Sequence, residues 1–342
     1  MTESDLESAS IPQRPTMNDL PPVQPPSAGF IVQLFIFPAL IVMGVVAIWW
    51  MFGLIAVGEQ DWRKLLQDLQ SQNLHVRNRA MYGLAQVLDQ DSRRGEQGQN
   101  LRANREIAQG LADQLVLELK RNSTSREGVA IQEYLTRALG MMDSLDAITP
   151  AIKMALDPQR DVEIRKSAVV SLSFVAGRAN ERGEPLSDPD IVASLIEMSG
   201  DSAPILRQTA AYALGLFKSP EATHQLEVLL ESSDKLTGVN AALGLARQGN
   251  THGFTILKDE LAQPVVASDP QKPDASGEQF RIVKNVLKAV NDLASKFDAK
   301  QKQELIPLVE QLSSNHPEIR IRVDAEAALN ALKSSVESQP SP

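Results

Sequence analysis

The 342-residue chain has no cysteine. Disulfides, thiolate metal sites and cysteine nucleophiles are therefore excluded, although a cysteine-free chain is stable in either redox environment and the compartment stays open. Histidine is scarce: His75, His224, His252 and His316 are scattered, and none has a partner three or four residues away in a metal-binding arrangement. No glycine-rich phosphate loop and no nucleophile elbow occurs. Dense basic stripes are missing too, and the net charge of −9 argues against nucleic acid, whose binding draws on clustered Lys and Arg. Acidic pairs such as Glu227 and Glu231 read as a solvated helix face. These absences predict no catalytic residue, no cofactor, no metal and no nucleic-acid partner.

Charge is also absent from one continuous stretch, Gly29 to Gly58, thirty residues long. Fully helical, it would span roughly 45 Å against about 30 Å of bilayer hydrocarbon, so it crosses once with tilt or a kink. Pro38 is placed to supply that kink, and Trp49 and Trp50 sit late in the run, where indoles favour the membrane interface. Ala56-Val57-Gly58 loosely resembles a signal-peptide cleavage site. However, the apolar core is about twice the usual length and the residues before it are acidic and proline-rich instead of basic, which favours an uncleaved anchor.

What is present in abundance is one repeating frame. It reads Val76-Arg77, Ala80, Gly83-Leu84 and Val87; Ile164-Arg165, Ala168, Ser171-Leu172 and Val175; Leu206-Arg207, Ala210, Ala213-Leu214 and Phe217; and Ile321-Arg322, Ala325, Ala328-Leu329 and Leu332. The spacing is one face of an α-helix. Weaker copies at Ala138-Leu139, Ala242-Leu243 and Val286-Leu287 bring the units to seven, and the intervals between the seven leucines run from 29 to 55 residues. That is the length of a helical-hairpin repeat, not of a coiled-coil heptad. Small residues in the frame let neighbouring helices approach, and the leucine fills the space between successive hairpins.

The expected organisation follows. Residues 1–28 form a disordered, proline-rich acidic tail, 29–58 a transmembrane helix, 59–335 an α-solenoid, and 336–342 a disordered tail. Residues 91–104 have no periodicity and are expected to be a mobile insertion, whose arginines Arg93, Arg94, Arg102 and Arg105 are better read as solvated than as lipid contacts. Residues 178–189 read as a polar connector, and the second helix of the sixth unit is placed at 279–297 after a long loop. Arg63, Lys64, Arg77 and Arg79 follow the anchor while only Arg14 precedes it. Basic flanks stay inside, so the array is placed in the cytoplasm with the N-terminal tail outside.

The units resemble HEAT repeats, including the short HEAT-like repeat of phycobilin lyases, over roughly residues 61–333. The frame residues Arg77, Leu84, Arg165, Leu172, Arg207, Leu214, Arg322 and Leu329 carry the resemblance. It implies an all-α, armadillo-like superhelix of about seven hairpins, with frame arginines bonding loop groups of adjacent repeats; Asn73 and Asp161, four residues before Arg77 and Arg165, are placed to join such a ladder. The predicted function is a single-pass membrane scaffold that binds protein partners through its solenoid surface. Two alternatives stay open: an accessory or lyase-like enzyme component holding a cofactor, and a lipid-surface module using Arg63, Lys64 and the basic insertion.

Overall fold

A computed structural model describes residues 27–56, 61–265 and 273–337, and divides into two compact units, Met1–Glu59 and Gln60–Pro342. The predicted tails at 1–28 and 336–342 lie almost wholly outside the described residues.

The first unit holds α1 (Ala28–Ile31), a π-helical turn (Val32–Ile36) and α2 (Phe37–Ala56). Proline has no N–H to donate to the preceding turn, and the wider turn stands immediately before Pro38 in α2. The span Val32–Met51 is long and apolar enough, by length and composition, to cross a membrane, and none of it is buried within the protein. Trp49 and Trp50 are exposed near its end.

Among the described residues of the second unit fourteen helices form seven consecutive hairpins: α3 (Trp62–Leu69) with α4 (Leu74–Arg94), α5 (Arg105–Arg121) with α6 (Arg126–Leu139), α7 (Leu145–Leu156) with α8 (Val162–Glu181), α9 (Pro189–Met198) with α10 (Pro204–Leu214), α11 (Pro220–Leu229) with α12 (Lys235–Arg247), α13 (Phe254–Leu261) with α14 (Pro273–Leu293), and α15 (Ala299–Asn315) with α16 (Ile319–Glu337). No strand occurs among the described residues.

Local chemistry sets the helix ends. Asp61, Asn73, Asn104, Ser125, Asp161, Asp188, Ser219, Asp234 and Asp298 each cap a helix by accepting a first-turn amide, and proline opens α9, α10 and α11, where a missing N–H costs nothing. Asn73 and Asp161 are thus occupied as caps, so the arginine ladder has to find other partners.

The second helices pack on one another in an unbroken row from α4 to α16. The first helices stack less continuously: α3 on α5, α5 on α7, α9 on α11, and α13 on α15. Between α7 and α9 the connector intervenes, with Leu186 packed on the core beside a cavity of about 190 Å³. Frame residues fill the layers between hairpins: Leu84, Leu172 and Leu214 are buried, while Leu329 is half-buried, with no further hairpin among the described residues to cover it. The buried side chains form two clusters that meet at α12.

Three boundaries differ from the sequence reading. Residues 91–104 are an ordered corner: α4 runs on to Arg94, two 3-10 turns follow, Leu101 enters the core, and the buried Asp91 carboxylate accepts the amides of Gln99 and Leu101. The polar composition hid this, because the buried charge is satisfied by backbone. In the same corner Arg93 pairs with Asp89 and Arg105 with Asp146. Helix α8 extends to Glu181, so the connector starts later than expected, and α14 begins at Pro273, which fits the first turn of a helix. Residues 266–272 of that loop lie outside the described residues.

Candidate functional site: the face of the second helices

The frame arginines follow two geometries. Arg77 reaches forward to Glu118 on α5 at 3.1 Å, and Arg165 to Asp201 in the α9–α10 turn at 2.8 Å, the latter guanidinium almost completely buried. Arg207 and Arg322 instead donate to carbonyls of their own turns, Asp201 and Ser202 for the first (2.8 and 2.9 Å), His316 for the second (2.7 Å). Asp201 therefore serves two repeats at once, its carboxylate on Arg165 and its carbonyl on Arg207. The Ala203 amide, and after it the Arg165 guanidinium acting against partial burial, hold the Asp201 carboxyl below its ordinary value of 3.8.

Further turn-binding side chains lie outside the frame. Arg178 donates to the carbonyls of Gly140 and Met142 and pairs with Asp143, Asn180 donates to Leu216, Gln248 to Phe217, and Arg160 to Leu119. Each sits near a helix end, where four carbonyls lack partners. Sequence reasoning missed them because they share no fixed offset from the frame.

The frame also determines what faces outward. Six residues after each leading aliphatic stand Tyr82, Val170, Tyr212 and Ala327, and each of these lines a groove on the second-helix row. The first groove lies along α3 and α4, with Asp61, Lys64, Asp68, Arg79, Tyr82 and Gln86. The second, about 420 Å³, crosses α8, α10 and α12 and is lined by Val170, Phe174, Ile205, Gln208, Thr209, Tyr212 and Asn240 among others. A third lies between α14 and α16, with Lys284, Lys288, Asp292 and Asp324. Large apolar side chains open onto this face: Tyr82 is 72% exposed and Phe174 62%. Tyr82 stacks edge-on against Tyr134, whose hydroxyl donates to the Met81 carbonyl and whose pKa burial pushes up to about 12.

The histidines do not cluster, although His252 and, more weakly, His224 both act on the Glu227 carboxylate and hold its pKa down. His75 is on α4, His224 on α11, and His252 on a turn with Nδ1 2.6 Å from Glu227. His316, buried at the end of α15, accepts the Glu318 amide at 3.1 Å, and burial lowers its pKa below 6.5. Among the described residues no group of three or more His, Cys, Asp or Glu is arranged to hold a metal ion.

The architecture is a HEAT/armadillo-like α-solenoid. Solved structures similar to it include the complex of CpcE and CpcF of phycocyanin lyase from Nostoc sp. PCC7120, at 15% identity over 80% of this chain and 95% of that one, TM-score 0.45. A designed armadillo repeat protein in complex with the peptide (KR)4 matches at 16% identity over 80% and 100%, TM-score 0.38. Human deoxyhypusine hydroxylase in complex with glycerol matches at 16% identity over 82% and 98%, TM-score 0.30. No protein-family model and no curated protein matches the chain. The description of the fold rests on the helix pairing above, and none of these likenesses assigns an activity.

Proposed function

We propose that this protein is a non-catalytic, membrane-anchored scaffold whose solenoid holds other proteins at a membrane surface. The observation that carries the reading is the set of grooves lined by second helices, two of which leave the aromatic side chains Tyr82, Phe174 and Tyr212 open to solvent where a monomer gains nothing from exposing them. The apolar helix supplies the anchor, with Trp49 and Trp50 at the interface, residues 1–28 outside and the array in the cytoplasm. Anchoring raises the effective concentration of a bound partner near membrane machinery, so modest affinity suffices. Arg77, Arg165 and the frame leucines serve as repeat-to-repeat clamps, Arg207 and Arg322 as clamps on their own turns, and none of them contributes ligand chemistry.

Cross-linking in intact cells, followed by detergent extraction through a C-terminal tag and mass spectrometry, tests the scaffold. Reproducible links from residues 61–337 to one protein set are expected; links confined to the chain itself or to lipid would remove the proposal. Alkaline washing of membranes tests the anchor separately. The full chain should stay in the pellet, and its release into the supernatant would show that α2 does not span.

A further inference from the structure

The chain is acidic overall, yet its charge is divided by element. The seven second helices carry eighteen Lys and Arg against twelve Asp and Glu, whereas the seven first helices carry nine against thirteen. In the middle of the array the division is complete, since α10 and α12 contain Arg207, Lys235 and Arg247 and no acidic residue. Arg207 is used by its own turn and Lys235 pairs with Glu260. Arg247 has no carboxylate within ion-pair distance among the described residues. Its guanidinium lies 4.6 Å over the ring of Tyr212, a residue that lines the second groove.

Stacking fixes the plane of a guanidinium while leaving its edge N–H groups open, the arrangement that suits a carboxylate. Gly215 leaves room for it, since a Cβ there would stand 3.0 Å from Arg247 Nη1. Beside it the groove offers Phe174, Ile205 and Tyr212, which are 62%, 41% and 40% exposed. The nearby acid, Asp234, is engaged by Gln208 and Thr237. Farther along the same row Arg79 and Lys284 line the first and third grooves.

We infer that the α8–α12 groove docks an acidic segment of a partner protein that also carries aliphatic or aromatic side chains, and that Arg247 binds its carboxylate. This inference rests on the scaffold reading above. A nucleic acid is the weaker fit, because the exposed groove side chains are apolar and the turns that lead into α10 and α12 carry Asp201, Glu231 and Asp234, which disfavours a polyphosphate.

The test uses the full chain in detergent, titrated by fluorescence anisotropy with a labelled peptide of alternating glutamate and leucine, its lysine-for-glutamate counterpart, and polyuridylate. Only the glutamate peptide should bind. Arg247→Glu and Phe174→Ser should each weaken it at least about tenfold, and Arg247→Lys less than Arg247→Glu. Val228→Ser, an exposed change on α11, should leave it unchanged. Equal binding of both peptides, preference for polyuridylate, or indifference to Arg247→Glu in a variant with unaltered circular dichroism overturns the inference. A photo-cross-linker at 174 and another at 228 separate the two levels. Partner proteins linked from 228 but not 174 defeat this groove alone, whereas no protein linked from anywhere on the array defeats the scaffold as well.

Discussion

Arg165 and Asp201 stand 2.8 Å apart, the arginine side chain 7% and the aspartate 17% exposed, so removing either leaves a poorly solvated charge behind. Arg165→Ala should cost about 2–4 kcal/mol in chemical denaturation, and the Arg165→Ala/Asp201→Ala double variant should recover part of that loss. An unchanged midpoint would make the pair incidental. Two titrations belong to this scale. Because the folded Asp201 carboxyl titrates below its ordinary 3.8, its contribution is complete above pH 3.8 and is lost as pH falls through the folded value. His316 is depressed from 6.5 by burial: the unfolded chain takes up a proton near pH 6.5 before the folded chain does, so stability declines as pH drops from 6.5 toward the folded value. His316→Gln should flatten the denaturation midpoint between pH 7 and pH 5 relative to the parent chain; an identical slope in the two proteins would show that the imidazole does not report on folding.

At the scale of the element, helices α10 and α12 touch backbone to backbone. A Cβ on Gly215 would lie 2.5 Å from the Gly244 Cα, which no rotamer change can relieve. Gly215→Ala should therefore destabilise by about 1–3 kcal/mol, while Gly177→Ala in the C-terminal part of α8, where a Cβ meets nothing within 4 Å, should be neutral or stabilising by up to about 1 kcal/mol. Thermal melts of the two variants decide it, and a matching shift in both would mean that helix propensity rather than helix approach governs these sites. The hairpins were legible for a related reason. A small residue one place before a leucine, repeated at hairpin intervals, marks close approach, and it located helices as short as α10 and α12. The corner at 91–104 was not legible, because a buried carboxylate satisfied by two amides looks from sequence like one more polar loop residue. Nor were the grooves. Tyr82, Val170 and Tyr212 occupy one register, but only the stacking of neighbouring second helices turns that register into a surface, and the contact of Arg247 with Tyr212 joins residues 35 positions apart in different repeats.

Across the whole solenoid, each hairpin touches only its neighbours, and the core is divided into two clusters that share α12, with Ala241 and Leu245 on one side and Val239, Ala242, Leu243 and Ala246 on the other. Stability in such an array is close to a sum of repeat and interface contributions, and damage spreads only as far as the weakened interfaces carry it. Leu214 is completely buried in the first cluster, so Leu214→Asp introduces a charge with no partner into the layer between the fourth and fifth hairpins. The expected outcome by hydrogen exchange is lost protection from α8 through α12, with the amides of α14, α15 and α16 still protected by the second cluster. Loss of protection at one rate from α3 to α16 would instead mean that α12 couples the two clusters into a single cooperative unit. In that case a partner seated on the middle groove would stabilise the entire array, not only the hairpins it touches.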